Sequence, residues 1–142
     1  MITKITLAAE NPTAKAIPDF VKSGIIVSVG HSNATYEVAK QAFANGATFA
    51  THLHNAMSPI SSGRAMGVVG AVLDSDEVYT GIIVDGLHVE FGNVKIAKRA
   101  KGDKLCIVTD ATARQVRISN NLILSVPRCM CVTVNAMTLT AL

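Results

Sequence analysis

The chain has no run of about 18 apolar residues, so no segment in it is long enough to cross a bilayer as a helix. Its opening, MITKITLAAENPT, lacks the basic end, the apolar stretch of about 7 to 15 residues and the cleavage site of a secretory signal. A cytoplasmic location with no membrane partner is the expectation. Cysteine is scarce: Cys106, Cys129 and Cys131 make an odd number in a chain without an export signal, which argues against a disulfide framework. Cys129 and Cys131 are too close for a CxxC pair and read as incidental thiols.

Acidic residues are missing from one region altogether. Residues 111–142 hold Arg114, Arg117 and Arg128 and no Asp or Glu, so the whole net charge of +3 comes from this tail. Aromatic residues amount to only 4%. Nucleic-acid binding needs a basic face with aromatic or loop contacts, and the balanced charge of the first 110 residues supplies none. No nucleic-acid partner is expected.

What is present is a rhythm of short apolar runs alternating with helical patterns, the signature of βα units around a parallel sheet. At 142 residues a chain can bury roughly 70% of its unfolded surface. Strands are expected at Ile2–Ala8, Ile25–Val29, Thr48–Thr51, Tyr79–Val84 and Leu105–Thr109. Asn11 and Pro12 read as cap and first turn of a helix running toward Lys22, with Pro18 as a break or kink. Ser32 or Asn33 is expected to cap a second helix, with the apolar positions Val38, Ala42 and Phe43 sharing one face and Gly46 as its stop. A Ser, Pro and Gly-rich loop spans Asn55–Gly63, and the stretch Val68–Leu73 is ambiguous. A helix over Val89–Ala100 ends in Lys98, Arg99 and Lys101, which suit its C-terminus.

His31, His52, Asp85, His88 and Asp110 all fall where apolar runs end. Strand C-termini form the active-site mouth of a (β/α)8 barrel, and an open doubly wound sheet gathers residues in the same way. About five strands are countable, so the expected fold is α/β, a partial (β/α)8 TIM-type barrel of about five βα units with a divergent C-terminal tail. The expected domains are 1–112, a partial catalytic barrel, and 113–142, a tail of nonnative or poorly ordered character.

His31 and His52, on consecutive strands, suit a divalent metal, although a lone buried histidine is more often a satisfied core residue. Asp110 ends a strong apolar strand and reads either as a general base and acid or as a helix cap. Asn55, Arg64 and His88 are loop residues of the same face, and arginine is shaped for bidentate phosphate binding. His54 points away from His52 if the chain is extended there, and is not counted as a ligand.

The motifs GHSNAT (Gly30–Thr35), ATHLHNAM (Ala50–Met57), DGLHV (Asp85–Val89) and VTDAT (Val108–Thr112), in this order, resemble N-acetylglucosamine-6-phosphate deacetylases. The segment ITLAAEN also resembles the family's TLAPE, with Ala9 in place of proline. The resemblance covers about residues 1–112 and corresponds to the middle of a longer chain. It implies a metal-dependent barrel that hydrolyses N-acetylglucosamine 6-phosphate to glucosamine 6-phosphate and acetate. It further implies His31 and His52 as metal ligands, Asp110 as the catalytic acid and base, and Asn55, Ala56, Arg64 and His88 as contacts of the sugar phosphate. The implied cofactor is a divalent metal, zinc first and iron, manganese or cobalt as alternatives; the implied assembly is a homodimer.

Two departures accompany the resemblance. The family's metal-binding glutamate lies upstream of anything in this sequence, and Glu10 belongs to a different motif. Beyond Thr112 the tail matches no part of the family known to us, as expected of a shifted reading frame or a truncation. The competing expectations are an inactive fragment of such an enzyme and another amidohydrolase acting on a different amide.

Overall fold

The computed structural model describes residues 3–110; the tail 113–142 lies outside the described residues. Five strands form one sheet: β1 (Lys4–Leu7), β2 (Ile26–Val29), β3 (Phe49–Ala50), β4 (Tyr79–Ile83) and β5 (Leu105–Val108). Four α-helices lie between them, α1 (Ile17–Lys22), α2 (Tyr36–Ala44), α3 (Gly67–Leu73) and α4 (Phe91–Lys101), with 3-10 turns at Pro12–Ala16 and Gly102–Lys104.

Every adjacent pair of strands is parallel, and the spatial order is β1-β2-β3-β4-β5. A doubly wound sheet reverses its order at a switch point. An order that follows the chain without reversal is the single winding of a (β/α)8 barrel, of which this is an arc. β3 is short, yet the pairing continues past both its ends, since Thr48 N–H donates to Val27 O at 3.1 Å and Thr51 N–H to Val29 O at 2.9 Å.

Ile17, Val27, Val29, Ile82, Leu53, Val68 and Val72 are fully buried and form the core. A hydroxyl chain links three strands: the Thr51 hydroxyl lies 2.7 Å from that of Ser28 and 2.9 Å from that of Thr6. Gly30 belongs to this crowded layer, because a Cβ there would stand 2.9 Å from both Thr51 Cβ and Thr6 Cγ2.

Several local expectations are corrected. The cap of α2 is Thr35, whose hydroxyl accepts from Val38 N–H, because Ser32 is engaged elsewhere. Val38 is 39% exposed and the buried positions of α2 are Ala39 and Ala42. Pro18 lies in the first turn of α1, after a 3-10 turn whose Asn11 side chain accepts from Thr13, so the proline begins a helix instead of interrupting one. The ambiguous stretch 68–73 is helical, with Val68 to Val72 all buried; a helix apolar all round gives no amphipathic signature. Lys101, only 4% exposed, does not cap its own helix. It donates to the carbonyls of Val72 and Ser75 and so closes the C-terminus of α3. Lys98 does serve α4, donating to Gly102 O at 2.9 Å. Among the described residues no helix is long and apolar enough to cross a membrane.

Candidate functional site

Four chemically capable residues stand two positions beyond a strand's last residue: His31 after Val29, His52 after Ala50, Asp85 after Ile83 and Asp110 after Val108. Val29 pairs with Ala50 across β2 and β3, which sets the two histidines level on neighbouring strands. Their Nε2 atoms lie 2.9 Å apart, and the rings meet edge to face with centroids 4.6 Å apart. His52 is 4% exposed, with its Nδ1 buried and unpartnered, whereas His31 is open to solvent.

Two nitrogens aimed at one point suit a shared cation. Donors bound at about 2.0–2.1 Å in tetrahedral geometry stand about 3.3 Å apart, so a shift of a few tenths of an ångström would admit zinc. The two imidazoles therefore fit the implied metal. Among the described residues no group of three or more His, Cys, Asp or Glu side chains is disposed to hold a metal, so the pair is an incomplete ligand set.

Glu10, a carboxylate that lines the same hollow as His31, has another task. Ser32 hydroxyl donates to its Oε2 at 2.5 Å and Asn33 N–H to its Oε1 at 2.8 Å, while Ser32 Oγ accepts from Ala9 N–H. Burial works to raise its pKa, but these hydrogen bonds prevail and hold Glu10 below the ordinary carboxylate value. The tie joins the end of β1 to the loop carrying His31.

That loop is tied again to the one after β3. Ser32 N–H donates to Ala56 O at 3.0 Å and Ser58 N–H to Ser32 O at 3.1 Å. Glu10, His31, Ser32, Asn33, Ala56 and Met57 thereby line an open hollow of about 420 Å³. Asp110 lines a smaller hollow with His52, Thr51 and Gly81, and the His31–His52 contact joins the two. Asn55 lies in the turn between them, its N–H bonded to His52 O at 2.9 Å and its side-chain amide to Leu53 O.

Arg64 and His88 line neither hollow. Arg64 is exposed on a tight turn closed by Ser61 N–H to Ala65 O at 2.9 Å. His88 is exposed and its Nδ1 lies 2.6 Å from Asp85 Oδ2. Asp85 also accepts from Leu87 and His88 N–H through Oδ1. The His88 ring bond, then the two amides, depress its pKa to about 2.

The sequence offers no sign of one feature. Among the described residues, five non-glycine positions have positive φ: His31 (48°), His52 (40°), His54 (76°), Ala56 (48°) and Asp110 (53°). Such conformations are uncommon outside glycine and gather at functional sites. They correct the premise about His54, since the backbone turns there instead of extending. Its half-buried ring has an unpartnered Nε2, and desolvation lowers its pKa. The placement of His31, His52 and Asp110 at strand ends was legible; the left-handed backbone that each of the three adopts was not.

The model of the amidohydrolase family matches residues 13–138, past the last motif and into the tail. The chain is 80% identical to the N-acetylglucosamine-6-phosphate deacetylase of Haemophilus influenzae over 113 residues, covering 80% of this chain and 29% of that protein. It is 48% identical to the N-acetylgalactosamine-6-phosphate deacetylase of a Shewanella strain over 108 residues, 75% of this chain and 27% of that one. The crystal structure of the N-acetylglucosamine-6-phosphate deacetylase from Pasteurella multocida superposes with a TM-score of 0.77 at 81% identity, covering 79% of this chain and 29% of that chain. The chain thus spans less than a third of the length of the relatives it matches.

Proposed function

We propose, on the premise that this chain belongs to the amidohydrolase family, that it carries the metal-binding and proton-transfer part of a deacetylase site. The reaction is hydrolysis of the acetamide of N-acetylglucosamine 6-phosphate to glucosamine 6-phosphate and acetate. The observation that carries the reading is the convergence of His31 and His52, Nε2 to Nε2 at 2.9 Å, at the ends of adjacent parallel strands.

In this reading His31 and His52 would hold a divalent cation, zinc by the chemistry of its imidazole donors. When bound, such an ion polarises the amide carbonyl and acidifies a water molecule. Asp110, in the hollow it shares with His52, takes a proton from the attacking water on its carboxylate and returns it to the nitrogen as the C–N bond breaks. Water adds to the carbonyl carbon, and the products are acetate and the amine. Asn55 and the Ala56 backbone hold the sugar beside this centre, while Arg64 and His88 take the phosphate. A cytoplasmic homodimer belongs to the same reading and rests on the family resemblance.

The Shewanella relative's name supports a second sugar, N-acetylgalactosamine 6-phosphate. The test is chemical-shift mapping of the 142-residue chain with each 6-phosphate and with unphosphorylated N-acetylglucosamine. Perturbations at Asn55, Arg64 and His88 by one 6-phosphate above the other two compounds support the reading and choose the sugar. An equal response to the unphosphorylated sugar removes phosphate recognition from it.

A further inference from the structure

We propose that Asp85 is a positioning residue that keeps Nδ1 of His88 protonated, so that Nε2 is the atom that meets a ligand phosphate. This rests on the reading of His88 as a phosphate contact. An ionised carboxylate only accepts hydrogen bonds. With Asp85 Oδ2 at 2.6 Å from His88 Nδ1, that nitrogen must therefore carry the proton. Nε2 is left for a ligand, and the exposed ring lets one reach it. A phosphate oxygen needs a donor there, and a ring with Nδ1–H already held by a carboxylate can carry its second proton on Nε2 and bridge the two anions.

The turn is built around this contact. Asp85 Oδ1 accepts from Leu87 N–H at 2.9 Å and from His88 N–H at 2.8 Å, so one carboxylate folds the loop and orients the ring at once. Gly86 has φ 75°, and a Cβ there would stand 2.9 Å from Phe91 Cε2, which leaves glycine as the residue that closes the turn without strain. Buried Ile83 before it and buried Val89 after it anchor both ends.

The Asp85→Asn variant separates the two duties. Its amide oxygen still accepts the two backbone N–H groups, but its NH2, a donor, then faces Nδ1 and drives the proton to Nε2. The experiment is multiple-bond ¹H–¹⁵N NMR of the histidine-labelled 142-residue chain at pH 7.5, free and with N-acetylglucosamine 6-phosphate. The free chain should show His88 with Nδ1 protonated, and the complex should show both nitrogens protonated. Asp85→Asn should show only Nε2 protonated while the Leu87 and His88 amide signals stay in place. It should bind the sugar phosphate about tenfold more weakly, as a neutral donor replaces a charge-assisted one.

A free chain whose His88 is the neutral Nε2–H tautomer overturns the proposal, and this needs neither variant nor ligand. If His88→Gln weakens binding but Asp85→Asn does not, the positioning role is overturned while the phosphate contact stands. If His88→Gln leaves affinity unchanged, the phosphate reading is wrong and the proposal falls with it, even where Nδ1 is protonated.

Discussion

Removing one imidazole from the convergent pair should abolish measurable zinc binding, and the expected size of that loss follows from the geometry. Structural zinc sites with four ligands bind with about 10–16 kcal/mol, so two of four ligands supply roughly 5–8 kcal/mol. That corresponds to a dissociation constant between about 1 μM and a few hundred μM. Opening the 2.9 Å nitrogen separation to about 3.3 Å is a small rotation of the exposed His31 ring. His52→Ala halves the ligand set and should push the constant beyond about 1 mM. Calorimetric titration of the chain with zinc, with His52→Ala and His31→Ala beside it, reads this directly. Glu10→Gln is the control, because Glu10 is bound to Ser32 and Asn33; its affinity should stay within about threefold, well under one kcal/mol. Nanomolar binding would show that a further protein ligand closes the site. Binding indifferent to both histidine substitutions would refute the convergence argument outright. With an incomplete ligand set, acetate release by this chain alone should fall far below that of a full-length relative, and comparable turnover would show that another carboxylate completes the centre.

Other consequences can be measured without metal. Gly30→Ala places a methyl against Thr51 and Thr6 and should cost about 1–3 kcal/mol of stability by overpacking, read as a lower urea midpoint. Lys101→Met removes the charged donor shared by the carbonyls of Val72 and Ser75, which keep their backbone partners Ser75 N–H and Val78 N–H; each lost bond to a charged group costs about 1.5–3 kcal/mol, and hydrogen exchange should rise first at the end of α3. Asp85 has a folded pKa of about 2 against an ordinary 3.8, so its stabilising contacts are fully present above pH 3.8 and are lost as the pH falls through about 2. A carboxyl ¹³C titration with its midpoint at the ordinary value would contradict that.

The strands were legible because a parallel strand covered on both faces leaves an unbroken apolar run, as in IIVSV and LCIVT. The histidines were legible for the same reason, since a polar residue directly after such a run marks a strand's end. Partners distant in the chain were not. Ser32 reads locally as a helix cap, but its hydroxyl is taken by Glu10, 22 residues earlier. Lys101 reads as the natural cation for its own helix end, but serves carbonyls 26 and 29 residues upstream. Strand alternation turns His54 away from His52, but alternation fails where the backbone enters left-handed turns. Local pattern reports what a residue suits; only the fold reports which neighbour reaches it first.

The two-residue distance between each strand and its reactive side chain leaves no slack between scaffold and chemistry. Side chains alternate faces along a strand, so inserting a single residue into β2 between Ile26 and Val29 would either slip the ladder to β3 or carry His31 away from His52. Long loops elsewhere absorb such changes at modest entropic cost, and the segment from Pro59 to Met66 separates β3 from α3 with room to spare. Length variation in that segment should therefore spare zinc binding, at the expense of Arg64's placement, whereas in β2, β3 and the two residues that follow each it should abolish zinc binding. The hydrogen-bond register of the sheet is the gauge that sets the spacing of the donors, and evolution can alter the loops beyond them without resetting it.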